Sequence, residues 1–156
     1  MLRIFYKSAE EILLSSNKDL LHSLEKEAVL WIDLIEPTGD EKRSAEAFLG
    51  TQIQSRAQAE EIESSSRFHE SGGIVFANTN FLSPMGDEMG MDPVSFTLSK
   101  YTLTTLREIP IRSFDLLSNK IQARPELYKD GFSIFVEIID KRVDLDADIV
   151  ELISQE

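Results

Sequence analysis

The first strand is predicted by an alternation of side chains at the start of the chain. Leu2, Ile4 and Tyr6 take every second position from residue 2 onwards. A period of two residues is typical of a β-strand. Residues 29–34 then form a compact apolar run, which predicts a second, buried strand.

Between these two strands the pattern is less regular. Residues 12–14 predict a short strand or a helical turn. Residues 19–26 predict an α-helix, because Leu20, Leu21 and Leu24 fall on one helical face.

Two capping boxes mark helix starts further along the chain. Thr38 and Glu41 have the Thr-x-x-Glu spacing, and Gly50 fits the left-handed position that ends a helix. Ser55 and Gln58 repeat the spacing as Ser-x-x-Gln. We therefore expect one helix over about residues 38–49, with Ala45, Phe48 and Leu49 inward, and a short second helix with Ile62 inward.

The middle of the chain predicts two hairpins. A strand near residues 65–70 is followed by the turn Ser-Gly-Gly at 71–73 and a return strand from 74. Residues 83–93 are rich in Gly, Pro and Asp and predict a loop. Residues 94–99 and 102–107 predict the second hairpin, with its turn at 100–101.

The last third of the chain predicts two helices. Residues 113–123 place Phe114, Leu117 and Ile121 on one face, and Pro125 fits the start of a following turn. Residues 132–156 contain neither Gly nor Pro. Seven of them repeat at alternating intervals of four and three, which is the heptad spacing of a long helix: Phe132, Val136, Ile139, Val143, Asp146, Val150 and Ile153. No stop signal follows, so we expect the helix to continue beyond residue 156.

This order of elements predicts an α/β fold: a mixed β-sheet flanked by helices in αβα layers, with a long C-terminal stalk helix. The expected organisation is an α/β domain over residues 1–124 and the start of the stalk over residues 125–156.

Composition narrows the function classes. The chain has 156 residues, 42% of them hydrophobic, which suits a single soluble domain. It has no cysteine, which excludes disulfides and thiol catalysis. A net charge of −12 without a basic stripe argues against nucleic-acid binding. No apolar run is long enough for a membrane span, and no signal peptide is visible, so a cytosolic location is expected.

The densest cluster of polar chemistry lies in residues 60–69, with three glutamates, three serines, Arg67 and His69. A serine nucleophile needs a glycine-flanked turn and an oriented base, and neither is present around residues 64–66. The cluster therefore predicts a helix that runs into a strand, and we expect no enzyme.

Metal-binding patterns are weak by spacing alone. His22 and His69 are far apart, which argues against zinc. Residues 144–148 start like a calcium-binding EF-hand loop but lack its glycine and glutamate. Asp87, Glu88 and Asp92 lie in the predicted loop, where carboxylates could coordinate a hard divalent cation.

Several segments in order resemble the cytoplasmic domain of CorA-type magnesium and cobalt transporters. They are Trp-Ile-Asp-Leu at 31–34, Pro-Thr with Asp-Glu at 37–41, "RAQAEEIESSSRFHE" at 56–70, "PVSFTLSKYTLTTLRE" at 93–108, and the helix over 124–153.

The resemblance implies a homopentameric divalent-cation transporter whose cytosolic domain senses ions and whose membrane helices follow the stalk. It implies acidic ligands between subunits, and by location these are Asp87, Glu88, Asp92 and the helix residue Asp140. No cofactor is required, and Mg²⁺ or another divalent cation is the expected regulatory ligand. Half of each intersubunit site would be missing here, so ion binding should be millimolar at most.

The family's Gly-Met-Asn motif and membrane helices are absent. The alternative is a stand-alone module that oligomerises through its C-terminal helix. Ion selectivity is not encoded in these residues.

Overall fold

The computed structural model describes residues 1–55, 57–58, 68–85 and 88–154, with backbone alone at 83–85, 88–89 and 152–153. Its centre is a seven-stranded mixed sheet in the order β2-β1-β3-β7-β6-β5-β4. The strands are β1 (Leu2–Ser8), β2 (Glu11–Ser15), β3 (Val29–Ile35), β4 (Phe68–Ser71), β5 (Ile74–Met85), β6 (Glu88–Leu98) and β7 (Leu103–Arg107). The pair β3–β7 is parallel, and the other pairs are antiparallel.

Helices cover both faces of the sheet, as the αβα prediction requires. They are α1 (Gly39–Leu49), α2 (Arg112–Ala123) and α3 (Gly131–Ser154). The side chains of α1 join one core cluster, and those of α2 and the first half of α3 join the other. All seven residues of β3 are buried, because this strand is central and covered on both sides. Among the described residues, no helix is both long and apolar enough to cross a membrane.

Local signals in the sequence set the boundaries of several elements. Thr38 and Glu41 form both hydrogen bonds of a capping box, and Gly50 ends α1 with a φ of 75°. Ser55 and Gln58 form the second box: the Ser55 amide donates to the Gln58 side chain at 2.9 Å, and the Gln58 amide donates to Ser55 Oγ at 3.3 Å. Ile62 lies outside the described residues.

Two expectations about local structure are wrong. Residues 19–26 do not form an α-helix, but two short 3₁₀ turns, Lys18–His22 and Lys26–Ala28. Ser23 explains the early end of the first turn, because its hydroxyl donates to the Leu20 carbonyl at 3.0 Å and competes with the helical pattern.

The predicted loop at 83–93 is also wrong, because β5 extends to Met85 and β6 begins at Glu88. Among the residues that the structure describes, β5 has no partner in β4 beyond residue 77, and β6 has none in β7 before residue 95. Residues 78–85 and 88–94 therefore form a two-stranded extension of the sheet, which we call the ribbon. Pro84 and Pro93 lie opposite Met89 and Asn80 in this two-stranded segment, where a residue without an amide donor is tolerated at a strand edge.

Candidate functional site

The ribbon carries two of the three predicted acidic residues of this region, Glu88 and Asp92. Asp87 lies outside the described residues, and Glu88 begins β6 with only its backbone described. Asp92 is partly buried and lies opposite Phe81 in the strand register, so that both side chains are on one face of the ribbon. Asp140 is exposed on α3. Among the described residues, no three His, Asp or Glu side chains converge as a metal site.

The first half of α3 is anchored firmly to the sheet. Gly131 is packed so closely that an added Cβ would lie 2.1 Å from the Leu103 nitrogen and 2.8 Å from the Leu30 carbonyl oxygen. Ile134 and Ile138 are buried in the core cluster of this face. No residue beyond 139 belongs to that cluster among the described side chains, so the second half of α3 has left the core.

Ile139 packs against the core, but four other heptad positions are exposed. Phe132 is 58% exposed, Val136 48%, Val143 56% and Val150 66%. We call these four residues the stripe. The heptad pattern thus predicts the helix correctly but marks the side that this chain leaves exposed. The side chain of Ile153 lies outside the described residues.

Arg142 joins α3 to the ribbon. Its Nε donates to the Asn80 carbonyl at 2.9 Å, and its guanidinium lies 5.9 Å from the ring centre of Phe81. The same guanidinium pairs with Asp146 one turn along the helix, at 3.4 Å. Arg142 therefore links the second half of α3 to the ribbon.

A second polar cluster fixes the base of α3 to α2. The Tyr128 hydroxyl and the Lys120 ammonium each donate to the carboxylate of Glu137 at 2.5 Å. Burial raises the pKa of Glu137, but the bonds from Lys120 and Tyr128 outweigh it and hold that pKa below its ordinary value of 4.5. Burial, and then the bond to Glu137, raise the pKa of Tyr128. The phenol is therefore a donor at all ordinary pH values.

A charge network around the fully buried Asp33 crosses the centre of the sheet. Asp33 accepts hydrogen bonds from Arg3 at 2.6 Å, from Arg107 at 2.8 Å and from Thr105 at 2.7 Å. Thr105 accepts in turn from the Trp31 indole at 2.9 Å. Burial lowers the pKa of Arg3, but the attraction and hydrogen bonds of Asp33 outweigh it, and the pKa is raised. These groups are occupied with one another, which favours a structural role.

A cavity of about 490 Å³ opens beside this network, at the carboxyl ends of β3 and β7. Ligands of α/β proteins often bind at such ends. Its lining includes Glu36, Lys42, Arg107 and Glu108, so that positive and negative side chains balance. The guanidinium of Arg107 is already hydrogen-bonded to Asp33 and to the Ile109 carbonyl. Without Arg107 the charged lining is two glutamates and one lysine, which is not a strong concentration of either charge.

The described residues among the other sequence candidates have local partners. His69 stacks on Phe76 with ring centres 4.8 Å apart, which is a packing role. Residues 64–66 and Arg67 lie outside the described residues. In the segment that begins like an EF-hand, Asp144 pairs with Lys141 and Asp146 with Arg142.

Sequence interpretation missed Asp33, Arg107 and Arg142. A signal was present for the first two, because a charged residue inside a buried strand requires a partner of opposite charge. Nothing in the helical pattern separated Arg142 from an ordinary surface arginine.

Comparison with known proteins relates the chain to magnesium transport proteins. It is 32% identical to the magnesium transport protein CorA of Wolinella succinogenes over 97% of this chain and 49% of the relative. It is also 32% identical to CorA of Escherichia coli, over 78% of this chain and 39% of the relative. The chain thus spans about half the length, or less, of the curated relatives it matches. No family model matches.

Solved structures share the fold. The complete CorA magnesium transporter of Methanocaldococcus jannaschii matches with a TM-score of 0.69 and 13% identity, over 100% of this chain and 48% of that one. The soluble domain of the same protein gives 0.64, also at 13% identity, over 99% of this chain and 64% of that one. The cytoplasmic domain of ZntB from Vibrio parahaemolyticus gives 0.59 at 16% identity, over 96% of this chain and 61% of that one. The sequence relatives and the shared fold together show that the chain is a homologue of the CorA magnesium transport proteins and has the fold of the CorA soluble domain.

Proposed function

We propose that the chain is the cytosolic regulatory domain of a CorA-like transporter for divalent metal ions, with Mg²⁺ or Co²⁺ as the ion that it senses. The observation that carries the proposal is the match to CorA of Wolinella succinogenes over nearly the whole chain. In the proposed full-length protein the domain lies at the cytoplasmic face of the inner membrane.

Ion sensing is assigned to carboxylates of the ribbon and of α3. Asp92 and Asp140 are the candidates with described side chains, and Asp87 and Glu88 lie near Asp92 in sequence. Carboxylate oxygens suit hard divalent cations, and the net charge of −12 draws cations towards the domain. Binding shifts an equilibrium between two arrangements of the assembly, because an ion favours the state to which it binds more tightly.

The ion assignment is tested by NMR titration with MgCl₂, using Co²⁺ as a paramagnetic probe. We expect millimolar binding with line broadening centred on residues 90–94 and 138–142. Asp92→Asn and Asp140→Asn should each weaken it, whereas Glu11→Gln, an exposed acid at the opposite edge of the sheet, should not. Saturable micromolar binding, or broadening centred elsewhere, would contradict the assignment.

Association through α3 is the second part of the proposal. The stripe exposes four large apolar side chains on one helix, which is typical of a surface covered by a partner. We propose that the partners are further copies of this chain, five in the full-length assembly.

The same stripe also favours the second candidate function, a stand-alone module that dimerises through α3. Sedimentation with and without Mg²⁺ separates the two. A regulatory domain should associate more strongly with Mg²⁺, and a tight dimer indifferent to Mg²⁺ would favour the module. Replacing Val143 and Val150 with Glu should abolish association, whereas Leu116→Glu, an equally exposed apolar residue on α2, should leave it unchanged.

Continuation of the coding sequence is an independent test. Two apolar spans and a Gly-Met-Asn motif after residue 156 would support the transporter. An immediate stop codon would contradict the transporter proposal and favour the stand-alone module that dimerises through α3.

A further inference from the structure

We infer that Arg142 couples the ribbon to the second half of α3, so that a change in the position of either one is passed to the other. The contacts that carry this inference come from one side chain. Arg142 donates to the backbone of Asn80, lies over the ring of Phe81 and pairs with Asp146.

The second half of α3 is held weakly by the rest of the fold, whereas the ribbon is anchored by the buried side chains of Phe81 and Val94. Among the described residues, the ribbon extends beyond the pairing of β5 with β4 and of β6 with β7. The second half of α3 lies beyond the core residues Ile134 and Ile138, and Val143 and Val150 are exposed. Arg142 lies where these two parts meet. A bond at this position has a large effect, because elements with few buried contacts open most readily.

Each contact of Arg142 restricts a different group. The bond to the Asn80 carbonyl fixes backbone of the ribbon, not a mobile side chain, and a charged donor makes it stronger than a neutral bond. Phe81 is buried in the main core, so the guanidinium rests on a rigid ring. Asp146 pairs with the same guanidinium from the side of the helix. A change at Asp146 therefore reaches the ribbon, although Asp146 pairs with Arg142 and not with Asn80.

The coupling goes beyond ion sensing and does not depend on it. It does place the proposed sensor next to the helix, because Asp92 is the register partner of Phe81. An ion at Asp92 would act on the ribbon position that Arg142 contacts.

The test is amide hydrogen exchange measured by NMR at residue resolution. Arg142→Met keeps much of the apolar stem but removes the charge and the donor. We expect exchange on the order of tenfold faster at residues 78–82 and 90–94 of the ribbon and at 143–150 of α3. Exchange in β3 should stay unchanged, which reports intact global stability. Arg124→Met is the matched control, since Arg124 pairs only with the neighbouring Glu126 among described residues and is exposed.

Asp146→Asn tests whether a change on α3 reaches the ribbon through Arg142. It should speed exchange in the ribbon of the wild-type chain and have no further effect in the Arg142→Met chain. Arg142→Lys retains a donor for the Asn80 carbonyl and should keep most of the protection, which provides the comparison if Arg142→Met does not fold.

Three outcomes would overturn the inference: a ribbon unaffected by Arg142→Met, a ribbon unaffected by Asp146→Asn, or an equal effect of Asp146→Asn with and without Arg142. Failure of the proposed ion sensing looks different. In that case Mg²⁺ changes exchange in neither the ribbon nor α3, while the dependence on Arg142 persists.

Discussion

Arg107 donates two hydrogen bonds to the carboxylate of Asp33 across the parallel strands β3 and β7, and neither side chain has any exposed surface (0% each). Arg3 donates to the same carboxylate from β1, so that one acid neutralises two guanidinium groups in part. Arg3 also pairs with Asp115 of α2, which supplies a second negative charge. The network joins three adjacent strands and one helix.

Removing the acid of this network should be severely destabilising. Asp33→Ala leaves the buried guanidinium of Arg107 without its counter-charge, and we expect a loss of about 3–5 kcal/mol in the free energy of unfolding. Urea denaturation followed by circular dichroism measures it. Glu126→Ala, which removes the exposed pair with Arg124, should cost less than about 1 kcal/mol.

The double replacement Asp33→Leu with Arg107→Met should recover part of that loss, because the fully buried guanidinium is removed together with its acid and Arg3 keeps its pair with Asp115. Full additivity of the two single losses would contradict this account.

Thr105 should be needed for the buried state of Trp31, which is the one tryptophan in the sequence. Its hydroxyl accepts from the indole and donates to Asp33. Thr105→Val leaves the indole donor without this partner, and we expect a loss of about 1–3 kcal/mol. Tryptophan fluorescence during urea unfolding reports the loss, and Thr79→Val on the ribbon is a control. Equal stability of the two variants would show that the indole bond contributes nothing.

Gly131 should tolerate no side chain. A Cβ at this position would lie 2.1 Å from the Leu103 nitrogen and 2.6 Å from the Thr102 carbonyl carbon, and backbone atoms cannot rotate away. We expect Gly131→Ala to lower the melting temperature by many degrees or to prevent folding, because the start of α3 must move. Gly39→Ala is the matched control: its Cβ would meet only the flexible side chain of Arg43 at 3.2 Å. A Gly131→Ala protein as stable as Gly39→Ala would show that α3 moves without cost.

Stability should fall in acid partly through Glu137. Its folded-state pKa lies below the ordinary 4.5, so the carboxylate contributes stability that is present above about pH 4.5 and is lost as the pH falls towards its lower folded value. Glu137→Gln removes this contribution. Urea unfolding between pH 6 and pH 3 should therefore give a shallower pH dependence for Glu137→Gln than for the wild type, and for the exposed control Glu126→Gln a smaller change. Parallel curves for Glu137→Gln and wild type would contradict the linkage.

Much of the fold follows from local patterns in the sequence. The alternation at residues 2–7, the apolar run at 29–34 and the capping box at Thr38 each specify an element through contacts within that element or its cap. The helices on both faces of the sheet then follow from the order of elements. The ribbon does not, because Gly, Pro and Asp usually mark loops, and the pairing of Phe81 with Asp92 is a tertiary property.

The candidate ion site could be predicted less well from such sequence patterns. Asp92 and Asp140 stay predictions as ion ligands, since their proposed partners lie on other copies of the chain. The heptad spacing predicts α3 but not which face packs inward: the core uses Ile134 and Ile138, which lie between the stripe positions. The division between residues 124 and 125 also stays a prediction.

The close packing of Gly131 against the sheet limits how far the long helix can tilt at its base. At 1.5 Å per residue, the 24 residues of α3 extend about 36 Å. A tilt of about 5° at the glycine would displace the far end by about 3 Å, and Arg142 by about half as much. Such a tilt would be enough to break the bond to Asn80, yet small enough to need only slight movement at the sheet. The geometry of the helix base therefore determines how far small motions near the sheet are magnified at Ser154.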